Sequence, residues 1–172
     1  MQELIGIAEQ IASHLIVRKQ TVSVAESSTG GLISTSLLAV RGASAYFLGS
    51  AVAYTRVTRR ILMDIPDAEM KGIRSASEPR KLLANQIRSR FASDWRLSET
   101  GATGPTGNRY GDAAGDSCIS VAGGRVYGDR TGNRQSRPGR QYARLRKRGA
   151  KRITSASLAL KITSQAPRTP AS

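Results

Sequence analysis

Two short segments carry most of the residue types that could handle an anionic small molecule: residues 26–31 (ESSTGG) and residues 100–107 (TGATGPTG). Glycine lets a backbone approach a ligand closely, and Ser and Thr hydroxyls add donors for phosphate oxygens beside the loop amides. The first segment offers Ser27, Thr29, Gly30 and Gly31 as contacts; the second offers Thr100, Gly101, Gly104 and Gly107. Neither fits a P-loop or the GxGxxG dinucleotide pattern, and either one alone reads equally well as a tight turn. Other chemistries are poorly provided for. Cys118 is the single cysteine and His14 the single histidine, so an internal disulfide or a multi-cysteine zinc site is excluded. A Ser-His-Asp triad would have to use His14, which sits inside a helical repeat. No metal and no cofactor are expected.

The elements that must position these segments follow from hydrophobic spacing. Leu4, Ile7, Ala8, Ile11, Ala12 and Leu15 recur at helical intervals, which predicts an amphipathic first helix. Residues 21–25 read as a β-branched strand, followed by the 26–31 turn and a helix over 32–40. A second strand is expected at 49–54, a helix at 55–63, a helix from Ser77 with Leu82, Leu83, Ile87 and Phe91 as its buried stripe, and strands at 95–99 and 117–122. Strands alternating with helices predict a single-domain α/β three-layer sandwich with a largely parallel sheet. In such sheets ligands bind beyond the carboxyl ends of the strands, and both small-residue segments fall there.

The chain of 172 residues suits one domain. No run of about 18 apolar residues could span a membrane, and the N-terminus carries Glu3 and Glu9 where a signal peptide carries positive charge. A soluble, cytoplasmic protein is expected. The net charge of +15 is unevenly placed: residues 1–124 hold 14 Lys and Arg against 11 Asp and Glu, whereas residues 125–172 hold 13 basic residues against Asp129. A mildly basic domain (1–124) therefore carries an Arg-rich tail (125–172). The tail lacks a packable apolar stripe until a patch at 153–162, and is expected to be disordered or poorly packed. Its charge could contact nucleic-acid phosphates, but only Tyr127 and Tyr142 could stack bases, so nucleic acid is not the expected partner.

Three strings in order, VAESSTGGLIS, GASAYFLGSAVAYT and ETGATGPTGN, resemble the CinA C-terminal domain family of nicotinamide-nucleotide amidohydrolases over roughly residues 1–124. The resemblance implies hydrolysis of the carboxamide of nicotinamide mononucleotide, releasing ammonia, by a homodimer. It places Ser44 at the family's nucleophilic serine, Ser27 at a pocket serine, Tyr54 at the family's tyrosine and Thr100 at its threonine. Taken without the resemblance, Ser44 is a helix N-cap after Gly42. Arg59 stands where the family has the lysine of a serine and lysine pair, and a guanidinium cannot act as a base near neutral pH. Activity lowered by Arg59 is the expectation, with a catalytically silent nucleotide-binding domain as the alternative. The family also continues into a closing helix. Codons chosen for residues 141–149 (QYARLRKRG) read NMRAFANA one base later, similar to that helix, so the tail is alternatively the product of a reading frame shifted between about residues 122 and 133.

Overall fold

The computed structural model describes residues 2–70, 79–102, 114, 116–123 and 141–145. Helix α1 (Gln2–Val17) leads into strand β1 (Val22–Glu26), helix α2 (Leu32–Leu38), strand β2 (Phe47–Val52) and helix α3 (Arg56–Met63). Helix α4 (Pro79–Phe91) and strands β3 (Trp95–Ala102), β4 (Asp116–Gly123) and β5 (Gln141–Leu145) complete the described chain. The sheet order is β2-β1-β3-β4-β5.

All five residues of β1 are buried, as a strand covered on both faces requires. On one face Ala8, Ile11 and Leu15 of α1 and Ile33 and Leu37 of α2 pack on Val22, Val24, Leu97 and Ile119. On the other, Leu83 and Ile87 of α4 join Met63 and Ile65 around Ala25 and Ala53. Full burial of each such aliphatic side chain is worth about 1.5–3 kcal/mol. This is the three-layer α/β sandwich read from the sequence.

Its sheet is mixed. β1 pairs in parallel with β2 and β3, but β3–β4 and β4–β5 are antiparallel, so half of the pairings depart from the parallel expectation. β4 also lengthens β3: Thr100 pairs with Cys118, Gly101 with Ser117 and Ala102 with Asp116. Thr100 and Gly101, expected on a loop, are therefore strand residues, whereas Gly104 and Gly107 lie outside the described residues. β2 begins two residues earlier than predicted, with a register irregularity between Val22 and Ser23 that leaves Leu48 without a partner on β1. It ends where the Ala53 amide donates to the Glu26 carbonyl (2.7 Å) and Thr55 and Thr58 form the capping box that starts α3. The expected Ser77 cap of α4 lies outside the described residues.

The tail departs from its expectation at one place: residues 141–145, whose shifted reading would be helical, form β5 along β4 in the frame as it stands. The rest of 124–172 lies outside the described residues. Among the described residues no helix is long and apolar enough to cross a membrane.

The amino-terminal rim of the parallel strands is pinned by Asp94, whose carboxylate accepts from the Thr21 amide (2.9 Å) and hydroxyl (3.0 Å), and by Tyr46. Tyr46 is fully buried, its hydroxyl donates to the Leu37 carbonyl (2.5 Å), and burial pushes its phenol above the ordinary value of 10.0. The unfolded chain ionises this tyrosine first, so stability is expected to fall as pH rises above about 10. Tyr46→Phe should flatten that part of the alkaline denaturation profile and cost about 0.5–1.5 kcal/mol at neutral pH. At Gly123, a β-carbon would overlap Cδ2 and Cε3 of the buried Trp95 ring. Gly123→Ala is expected to lose about 1–3 kcal/mol, read from the urea midpoint.

Candidate functional site

β1 ends at Glu26, and its parallel register with β3, in which Ala25 faces Ser98, brings Glu99 alongside. Both carboxylates are 0% exposed. A buried carboxylate persists only where donors surround it, and the 26–34 segment supplies them. Glu26 accepts from the amides of Gly31 (3.1 Å), Ile33 (3.0 Å) and Ser34 (2.9 Å) and from the hydroxyls of Thr29 (2.7 Å) and Ser34 (2.5 Å). Gly31, the N-cap of α2, has no side chain to cap with, so Glu26 does that work from the preceding strand. Gly30 and Gly31 take left-handed φ of +62° and +96°, which turns the chain back over the carboxylate.

Glu99 holds the same segment from the other side. It accepts from the amides of Ser27 (3.2 Å) and Thr29 (3.0 Å) and, through a short contact, from the Ser28 hydroxyl, while the Thr29 hydroxyl, whose one hydrogen is shared between the two carboxylates, lies 2.9 Å away. The first and third motifs are thus one unit, locked through Thr29, which touches both carboxylates. In this segment the amides expected to face a phosphate serve the protein instead. The amides of Ser27, Thr29 and Gly31 point inward at protein carboxylates, and Gly30 donates to the Ser27 carbonyl (3.2 Å).

The rim nevertheless collects most of the predicted site. Ser27 is buried, and its hydroxyl makes no hydrogen bond among the described residues. Thr100 is fully buried one residue beyond Glu99, and Gly101 is half-buried next to it. Tyr54 follows β2 onto the same rim and is 69% exposed. Arg59, 8% exposed, donates from Nε to the Ala53 carbonyl (3.3 Å), the residue whose amide is held by Glu26. Arg59 is thereby fastened to backbone beside the lock. Among the described residues no cluster of His, Cys, Asp or Glu is arranged to hold a metal ion.

Ser44 is elsewhere. It is exposed on a single 3-10 turn (Ala43–Ala45) that precedes β2, where the Val22 amide donates to the Tyr46 carbonyl (2.7 Å) at the start of β1. β2 is six residues long. At about 3.3 Å per residue it holds Ser44 about 17 Å or more from Tyr54, at the opposite rim of the sheet. Within one chain, Ser44 is not brought together with the other predicted residues. Glu26, Glu99 and Ser28 were missed as site residues; the available signal was a glutamate opening both small-residue motifs at the ends of adjacent strands. Glu99→Ala would leave two buried amides without an acceptor, at about 1–3 kcal/mol each. A clearly lowered urea midpoint is expected, with Glu99→Gln falling between it and the unmodified chain.

The model of the CinA C-terminal domain family matches residues 5–146, which carries the family past residue 124 and through β5. A CinA-like protein from Prochlorococcus marinus (strain MIT 9301) is 34% identical over 118 residues, covering 68% of this chain and 28% of the relative. A CinA-like protein from Gloeobacter violaceus is 36% identical over 118 residues, again 68% and 28% of the two chains. The chain thus spans under a third of the length of these curated relatives. The crystal structure of competence damage-inducible protein A (ComA) from Klebsiella pneumoniae subsp. pneumoniae MGH 78578 shares the fold with a TM-score of 0.80 at 20% identity, covering 95% of this chain and 99% of that one. The competence/damage inducible protein CihA from Agrobacterium tumefaciens does so with a TM-score of 0.72 at 22% identity, covering 94% and 93%. The chain belongs to the CinA C-terminal domain family.

Proposed function

We propose that the chain hydrolyses the carboxamide of nicotinamide mononucleotide to the nicotinic acid nucleotide and ammonia, as a cytoplasmic homodimer without metal or cofactor. The observation that supports this reading is the convergence of Ser27, Tyr54, Arg59, Thr100 and Gly101 on the carboxyl rim around the Glu26 and Glu99 lock. Two buried carboxylates suit the cationic pyridinium ring of the substrate better than its phosphate. The phosphate falls instead to Arg56 and Arg60, exposed on α3.

In this mechanism the Ser44 oxygen of one subunit of the homodimer attacks the amide carbon held at the carboxyl rim of the other, where the Ser27 hydroxyl or Tyr54 donates to the developing oxyanion. The serine proton, relayed by solvent water, passes to the nitrogen as the C–N bond breaks, the nitrogen leaves as ammonia, and a second water hydrolyses the acyl-serine ester, returning the serine hydroxyl. The family's lysine would take the serine proton and pass it to the leaving nitrogen. Arg59 cannot do so, because its guanidinium keeps its proton near neutral pH and its Nε is engaged with Ala53. Loss of a general base costs about 10²–10⁴ in rate. The anchored Arg59 also favours a second reading, a domain that binds the nucleotide without turning it over.

Ammonia release from nicotinamide mononucleotide by the purified chain separates the two readings. Slow release is expected, and Arg59→Lys should raise kcat by about 10² or more if the missing base limits turnover. Saturable binding with no ammonia from either protein would establish the second reading.

A further inference from the structure

The amino-terminal rim of the sheet, away from the Glu26 and Glu99 lock, holds a concavity of its own. A cleft of about 480 Å³ opens between the end of α4 and the start of β3, within the range of roughly 300–1,000 Å³ usual for small-molecule sites. Asn85, Arg88, Ser89 and Ala92 form one wall. They recur at i, i+3, i+4 and i+7, so they share one face of α4, beside the buried Leu83 and Ile87. Asp94 and Arg96 form the other wall. Trp95 between them belongs to the core on the α1 side, so alternation along β3 turns Arg96 towards α4. Arg96 stands three residues before Glu99, about 10 Å back along the strand. Ser93 firms the floor, its hydroxyl committed to the Ser23 hydroxyl (2.6 Å) and the Trp95 carbonyl (2.8 Å). Ala92 ends α4 at the lip with a left-handed φ of +50°, a conformation costly for any residue but glycine.

Arg88 and Arg90 both stand in the last turn of α4, where a cation suits the helix dipole. Arg90 turns to Asp64, whereas Arg88 shares the cleft with Arg96 of a different element. Two guanidiniums in one concavity repel each other and are stabilised by an anion held between them. Each carries five N–H donors, enough to keep a contact within the protein and still present a fork to a ligand. We propose that this cleft binds the phosphate monoester of a small polyhydroxylated molecule, a sugar phosphate in chemical class, apart from the site of amide hydrolysis. The phosphate lies between Arg88 and Arg96. Asp94, whose Oδ2 accepts from the Thr21 amide and hydroxyl, adds carboxylate acceptor capacity for ligand hydroxyls. The Asn85 amide and the Ser89 hydroxyl add donors and acceptors on the facing wall. Among the described residues no aromatic or large aliphatic side chain lines the cleft, so an apolar ring has nothing to pack against. That separates the ligand from a pyridine or purine nucleotide.

Isothermal titration calorimetry of the full chain with glucose 6-phosphate tests this. Saturable binding is expected, at least about tenfold tighter than for glucose or for inorganic phosphate, since each of those lacks one half of the contacts. Arg88→Gln is expected to weaken it by at least about tenfold. Should that change disturb α4, Ser89→Glu serves as a second variant: Ser89 is exposed, and a carboxylate there repels the phosphate without entering the core. A comparable loss of affinity with an unaltered urea midpoint is expected. Arg56→Gln, on α3 at the opposite rim, should leave the affinity as it is. No binding, equal binding of inorganic phosphate, or binding that survives both Arg88→Gln and Ser89→Glu overturns the proposal. So does binding lost in Arg56→Gln, which would put the sugar phosphate at the carboxyl rim. None of these outcomes depends on whether the chain releases ammonia.

Discussion

Two carboxylates buried side by side set the constraint from which the rest of the site follows. Glu26 and Glu99 project from adjacent parallel strands into a space without solvent, and the loop after β1 is shaped by the need to surround them with donors. Thr29, whose hydroxyl lies within hydrogen-bond distance of both, couples the two strands through a single side chain. The glycines that follow take left-handed conformations because the chain must reverse to bring the first amides of α2 onto Glu26. One polar cluster therefore caps a helix, closes a loop and levels the rim on which Tyr54, Arg59 and Thr100 stand.

That cluster also explains where reading the sequence succeeded and where it did not. The stripe of Ala8, Ile11 and Leu15 and the β-branched run of β1 announce their elements because burial on one face or on both leaves a periodic trace. Thr100 to Ala102 looks like a turn, since small residues have no strong strand preference; antiparallel pairing with β4 decides it, and pairing is a tertiary fact. The carboxylates were passed over for a related reason. A glutamate beside Ser, Thr and Gly reads as solvated, and only the register that puts Glu26 next to Glu99 shows that the hydroxyls serve the acids. The position of Ser44 escapes any linear reading, because a motif records order along the chain and not which end of a strand a residue occupies.

Arg59 ties the segment between β2 and α3 to its own backbone. A lysine there would present a flexible ammonium, whereas the guanidinium reaches back to the Ala53 carbonyl and braces the segment between β2 and α3. The same segment receives a bond from its amide side through Glu26. The segment is thus held both through its amide and through a side chain of the following helix.

β5 matters beyond the length of sheet it adds. Trimming the Arg-rich region just after β4 would be a natural step for anyone seeking a better-behaved fragment, since nearly all of the surplus positive charge lies there. Such a cut would strip the outermost ribbon from the sheet and bare the backbone of β4 along its length. The shortened fragment would trade charge repulsion, which keeps molecules apart, for a sticky border that invites fibrillar or amorphous clumping.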